Sequence, residues 1–139
     1  MKNTKGNKIK SITLSDDFKK EILYNSLCNG LGYVCSSYDL QWDVFDDFYN
    51  DARKQLKEER PTETICIEDI LLRVLENGQP IKFLDLQSDN IDYLFLKDAL
   101  YRMDNLPIDV INNFLNENDD ADDADVVIQT CLFTKVIFG

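Results

Sequence analysis

The chain has 139 residues, with 15 Lys and Arg against 26 Asp and Glu, for a formal charge of −11 and no histidine. That length suits one domain with one core, and a hydrophobic fraction of 44% suits a folded protein rather than a disordered one. The missing imidazole excludes Ser-His-Asp and Cys-His catalysis and His-based metal sites, leaving carboxylates, Lys, Tyr and Cys for any chemistry.

The charge is uneven. Residues 1–20 carry a net +4 from six Lys and two Asp, and residues 21–139 carry a net −15. Such a body repels phosphate backbones, so direct nucleic-acid binding is disfavoured and a basic partner is favoured. The expected organisation is a Lys-rich flexible tail over residues 1–8 and a single acidic α+β domain over 9–139. The domain is read as mostly helical, with a short β-hairpin near 81–97 and a buried C-terminal segment.

In chain order, Ile9, Ile12 and Leu14 suggest a short edge strand. Ser15-Asp16-Asp17 has the form of a helix start, with a hydroxyl for the orphan amides and acids for the dipole. Phe18, Ile22, Leu23 and Leu27 then predict a helix over 16–28, and Asn29-Gly30 reads as its stop. Gly32, Ser36 and Ser37 interrupt any period between Leu31 and Trp42, where irregular or short extended structure is expected.

Val44, Phe48, Ala52 and Leu56 recur every four residues and predict a helix over Asp43–Glu59, with Phe45 and Phe48 in the core. Pro61 ends it. Ile67, Ile70, Leu71, Val74 and Leu75 predict a second helix within Thr64–Asn77, stopped by Asn77-Gly78 and Pro80. Two β-rich runs, Ile81–Gln87 and Tyr93–Lys97, flank a polar Ser88-Asp89-Asn90 and predict the hairpin. A short helix is expected over Asp98–Asp104. Another follows, with Pro107 in its first turn, and an acidic break is expected over Asn116–Asp125. For Val126–Phe138, β-branched residues favour a strand, but the leading acids, Lys135 and Gly139 follow the polarity of a helix, which is preferred.

The four cysteines, Cys28, Cys35, Cys66 and Cys131, form no CxxC pair and are read as small apolar thiols in a reducing compartment. The N-terminal residues lack an apolar signal region and no stretch is long enough to span a bilayer, so a cytoplasmic location is expected. Gly30-Leu31-Gly32 lacks the third glycine and the leading strand of a dinucleotide loop.

Two acidic runs stand out. Asp119-Asp120-Ala121-Asp122-Asp123-Ala124-Asp125 has the oxygen density that a hard divalent cation needs, but lacks the Gly and Glu of a calcium loop. Asp43, Asp46, Asp47 and Asp51 fall at helical spacing, with Asp43, Asp47 and Asp51 in one row of like charge. Tyr38, Trp42 and Tyr49 lie beside that row, and amphipathic aromatics of this kind favour interfaces. The leading expectation is a non-enzymatic interaction or regulatory protein that requires no cofactor and no metal. Asp43, Asp46, Asp47 and Asp51 would attract a basic protein, and Tyr38, Trp42 and Tyr49 would supply the close contacts. One form of that role is imitation of a nucleic-acid backbone in the basic groove of a nucleic-acid enzyme. The alternatives are a Mg²⁺- or Mn²⁺-dependent enzyme built on the Asp119–Asp125 run and a self-associating structural subunit.

Overall fold

A computed structural model describes residues 14–139, as six α-helices and a three-stranded antiparallel sheet in one α+β domain. The tail expected over residues 1–8 lies outside the described residues. Of the strand expected around Ile9, Ile12 and Leu14, only Leu14 is described, and it is not in a strand.

Helix α1 spans Asp16–Tyr38. Ser15 caps it, its hydroxyl accepting from the Phe18 amide at 3.1 Å, as the Ser-Asp-Asp start predicts. The predicted stop at Asn29-Gly30 is wrong. The helix continues for two more turns, because Leu31 and Val34 extend the buried stripe of Leu23 and Leu27. The chain leaves the helix at Asp39, whose left-handed φ of 54° closes the last turn. Gly30 serves a different purpose. A Cβ built there would lie 2.6 Å from the Ala124 Cβ, so α1 and the last helix approach as closely as their backbones permit.

After Asp39, strand β1 runs Leu40–Asp43, which bears out the short extended structure expected up to Trp42 and corrects the helix start expected at Asp43. Helix α2 therefore begins later, at Asp46, and runs to Glu59. Its buried stripe is the predicted one, with Ala52 and Leu56 in the core and Phe48 and Tyr49 packed against it. Helix α3 follows at Ile67–Glu76. The Asp69 carboxylate accepts from both the amide (3.4 Å) and the thiol (3.1 Å) of Cys66, which stands where a Ser or Thr cap would. Arg73 on α3 makes a two-pronged bond to Glu59 on α2, both arms 2.8 Å, and locks the pair of helices together. Gly78, at φ +82°, ends α3 as predicted.

The hairpin falls where expected, with β2 at Ile81–Asp85 and β3 at Ile91–Leu94. β2 lies between β1 and β3, and both neighbours are antiparallel to it. Asp85 holds the turn by accepting from the Gln87 and Ser88 amides. Helix α4 (Leu96–Arg102) runs into a 3-10 turn at Met103–Asn105, and Pro107 stands one residue before α5 (Ile108–Leu115).

Helix α6, Ala121–Phe133, gives the C-terminal segment the helical form preferred over a strand. It begins inside the stretch read as an acidic break. Asp120 accepts from the Asp123 amide at 3.0 Å while Asp123 accepts from the Asp120 amide at 3.1 Å, so two carboxylates in the run form the cap themselves. The helix ends at Thr134, earlier than expected, and Val136 and Ile137 are exposed.

The core lies between α1, α6 and the inner sheet face, around Ile22, Leu23, Leu27, Val34, Phe83, Val127 and Ile128. Three buried polar side chains are satisfied there. The Ser26 hydroxyl donates to the Ile22 carbonyl at 2.7 Å. Lys19 donates to the Leu100 carbonyl at 2.8 Å and pairs with Asp104 at 2.9 Å, tying α1 to α4. Gln129 accepts at 2.8 Å from each of the Ile137 and Phe138 amides and donates to Asp125, folding the last residues back onto α6.

Gly-to-Ala inside a helix ordinarily stabilises by about 0.5–1 kcal/mol. Gly30→Ala is expected to do the opposite and cost about 1–3 kcal/mol, because the new methyl overpacks the α1–α6 crossing. Adding Ala124→Gly should recover part of the loss. Chemical denaturation of the three variants checks this, and additive losses would refute the crossing as the cause.

Candidate functional site

The sheet presents two unlike faces. Along β2, Ile81 and Phe83 are buried, while Lys82 and Leu84 point the other way. The register places Asp43, Lys82 and Tyr93 in one row of that outer face, and Gln41, Leu84 and Ile91 in the next. Tyr93 is 51% exposed and Ile91 46%, so apolar side chains meet water on a face that no described helix covers.

At the end of β1 the buried Val44 turns the chain into α2 and leaves Phe45 outside, 62% exposed. Phe45 was expected in the core; the inward position belongs to Val44 instead. The rings of Phe45 and Phe48 sit 5.1 Å apart. Together with Asp43, Pro80, Lys82 and Tyr93 they line a groove of about 380 Å³.

Of the acids predicted as partner-binding, Asp43 lines this groove and the others follow it along the chain. Asp43 closes β1, Asp46 and Asp47 occupy the first turn of α2, and Asp51 follows one turn after Asp47. All four are exposed. The predicted row of three does not form, because Asp43 belongs to a strand; only Asp47 and Asp51 share the four-residue spacing of a helix face. The first-turn acids also suit the α2 dipole.

The predicted aromatics are placed differently. Tyr38, Trp42 and Tyr49 are half-buried and pack against the core. Tyr38 stacks on Phe138 with ring centres 5.0 Å apart, and its hydroxyl donates to the Asp125 carboxylate. The exposed rings beside the acids are Phe45 and Tyr93, which sequence reasoning missed. The signal available was the alternation of Lys82 with Ile81 and Phe83, which fixes which side of the hairpin is outward.

The second acidic run is largely committed inside the fold. Asp120 and Asp123 form the α6 cap, Asp123 also accepts from Asn113 at 3.1 Å, and Asp125 accepts from Tyr38 and Gln129. Among the described residues no three acids or thiols converge on a point that would hold a metal ion. The four cysteines are free. Cys131 is buried, and desolvation pushes its thiol up to about 12; Cys28 is exposed rather than internal. On the sheet's β1 side, the Trp42 amide is directed at the Cys35 thiol. A larger groove of about 620 Å³ runs between α1 and the residues around Phe114–Asp119, with mainly polar walls that include Glu21, Asn25, Asn29 and Glu117. No helix among the described residues is long and apolar enough to cross a membrane.

Comparison with protein-family models, with curated proteins and with solved structures finds no match for this chain.

The Tyr38 phenol is pushed up from 10.0 to about 12, first by its bond to the Asp125 carboxylate and then by burial. A phenol with a raised folded value contributes stability that is fully present below its unfolded value and lost as pH climbs through the folded one. Tyr38→Phe should therefore lower Tm near neutral pH, with the gap from the natural chain constant below 10 and closing towards about 12. Thermal melts across that range check it; a gap that stays constant above 10 would refute it.

Proposed function

We propose that this chain is a non-enzymatic interaction protein that docks a basic protein partner on the outer sheet face. The observation that carries the reading is the groove of Phe45, Phe48, Pro80 and Tyr93, lined also by Asp43 and Lys82, with the exposed carboxylates of Asp46 and Asp47 next to Phe45 in the chain. Aromatic rings in a concave patch supply short-range attraction by losing water, and charge at its margin steers encounter and rejects partners of the same sign. The chain's −11 charge extends that steering over the whole body.

The acidic groups that serve this role are those near the groove, with Phe45 and Tyr93 as the close contacts. Imitation of a nucleic-acid backbone by two acidic runs is the weaker form of the idea, since Asp120, Asp123 and Asp125 are engaged internally. Chemistry at the Asp119–Asp125 run is weaker still, for the same reason.

The test is photo-cross-linking from a benzophenone side chain installed at position 45, in lysate of the natural host. The expected product is an adduct with a basic protein, its yield falling about tenfold when salt is raised to about 1 M. The paired change Asp46→Lys and Asp47→Lys should lower the yield similarly without altering Tm by more than a few degrees. Adducts indifferent to salt and to charge reversal, or none at all, would overturn the proposal.

A further inference from the structure

The hydrogen-bonding direction of each strand residue follows from two bonds at the ends of the ladders. The Asp85 amide donates to the Asn90 carbonyl at 2.9 Å, and the Leu86 amide donates to the Asp39 carbonyl at 2.9 Å. Antiparallel pairs alternate between hydrogen-bonded and non-hydrogen-bonded. Stepping along the register from Asp85, Phe83 pairs with Asp92 and Ile81 with Leu94 through the backbone. The intervening pairs, Leu84 with Ile91 and Lys82 with Tyr93, are the non-bonded ones. The amides and carbonyls of Ile91 and Tyr93 therefore point away from β2, along the free edge of β3.

By the same stepping, Leu40 and Trp42 point outward on β1. The side chains of those two residues turn inward, Leu40 buried and Trp42 packed against the core. On the β3 edge, among the described residues, no backbone group outside the sheet bonds to Ile91 or Tyr93. These two residues also carry the exposed apolar side chains of the outer face. A long-range template for another strand is ordinarily hidden in native proteins, by charge, by proline or by a covering element. Here a short one is left open beside a groove.

Charge selects what can use it. The chain around the edge carries Asp89, Asp92 and Asp98 against Lys97, the groove adds Asp43 and Lys82, and the exposed Asp46 and Asp47 follow Phe45 in the chain. A second copy of this −11 chain would bring like charge to the same place.

We propose that β3 accepts an extended basic segment of a partner protein as a fourth strand. Its backbone would bond to the amides and carbonyls of Ile91 and Tyr93. Its alternate side chains would be apolar and lie on the outer face with Ile91 and Tyr93, and Lys or Arg would occupy the others. This rests on the interaction role proposed above and specifies the form of the partner: main-chain pairing supplies the bonds, and side chains of period two supply the selectivity.

A random-peptide display library panned on the full chain tests it. The enriched peptides are expected to alternate apolar residues with Lys or Arg. Ile91→Pro removes one outward amide and no ladder bond, a substitution that edge strands tolerate. It should weaken the selected peptides by about tenfold, the loss expected when a backbone bond is deleted at a desolvated edge. In the unaltered chain, hydrogen exchange at the Ile91 and Tyr93 amides should slow on peptide binding. That measurement decides the matter even if the proline variant folds poorly.

Peptides with helical spacing, or binding that leaves those two amides unprotected, would overturn strand addition. Amides already protected in the free chain would also overturn it, placing the chain's own residues or a second copy on the edge. Peptides lost on Asp46→Lys with Asp47→Lys but kept on Ile91→Pro would refute the strand and leave the interaction role standing. A library that yields nothing would refute both.

Discussion

The closeness of α1 to α6 is the constraint from which the rest of the architecture follows. At Gly30 the first helix has no side chain, and the 2.6 Å that would separate an added Cβ from Ala124 leaves room for none. Two backbones held this near form the central layer, and their flanking residues, Leu23, Leu27, Val34, Val127 and Ile128, are removed from water almost completely. The crossing also sets polar partners in place further along. Tyr38, two turns beyond Gly30, reaches Asp125, and Asp125 in turn receives the amide of Gln129, which holds the chain after α6. One missing methyl thus organises an apolar layer and a half-buried polar chain at once. Buried polar groups are tolerable only when fully bonded, and Gln129, with no exposed surface, has both ends engaged.

Much of this was legible before any coordinates. The four-residue stripes of α2 and α3, the hairpin about Ser88, the stop at Gly78 and the helical form of the last segment all follow from period and punctuation. What failed was the meaning of a glycine. Asn29-Gly30 has the composition of a helix end, and only a tertiary neighbour, Ala124, shows that the residue serves a crossing instead. That error displaced the next stretch: Leu31 to Trp42 was read as irregular or short extended structure, its extended part is borne out by β1, and Asp43 was read as helical. Four-residue strands carry little pattern of their own. β1 is stabilised by lying along β2, information that sits some forty residues away in the chain.

The candidate surface was legible in its charge and illegible in its contacts. Carboxylates at Asp43, Asp46, Asp47 and Asp51 must face water unless paired, so composition alone placed them outside. Aromatics carry no such rule. Val44 and Phe45 are adjacent and both apolar, and which one turns inward depends on where the strand stops and the helix begins. The two acidic runs teach the same lesson from the other side. They look alike in the sequence, yet one remains at the surface while the other is largely consumed in capping α6 and in binding Tyr38 and Gln129. Charge density marks attraction only where the oxygens are not already engaged.

The asymmetry of the sheet's two borders has a bearing on stoichiometry. A sheet able to grow on both sides propagates: each added chain offers a fresh border, and the product is a fibre of indefinite length. Here the two borders offer different side chains: Leu40 and Trp42 on one turn into the core, while Ile91 and Tyr93 on the other face water. Growth confined to the β3 border stops after one addition, and the product is a closed pair instead of a polymer.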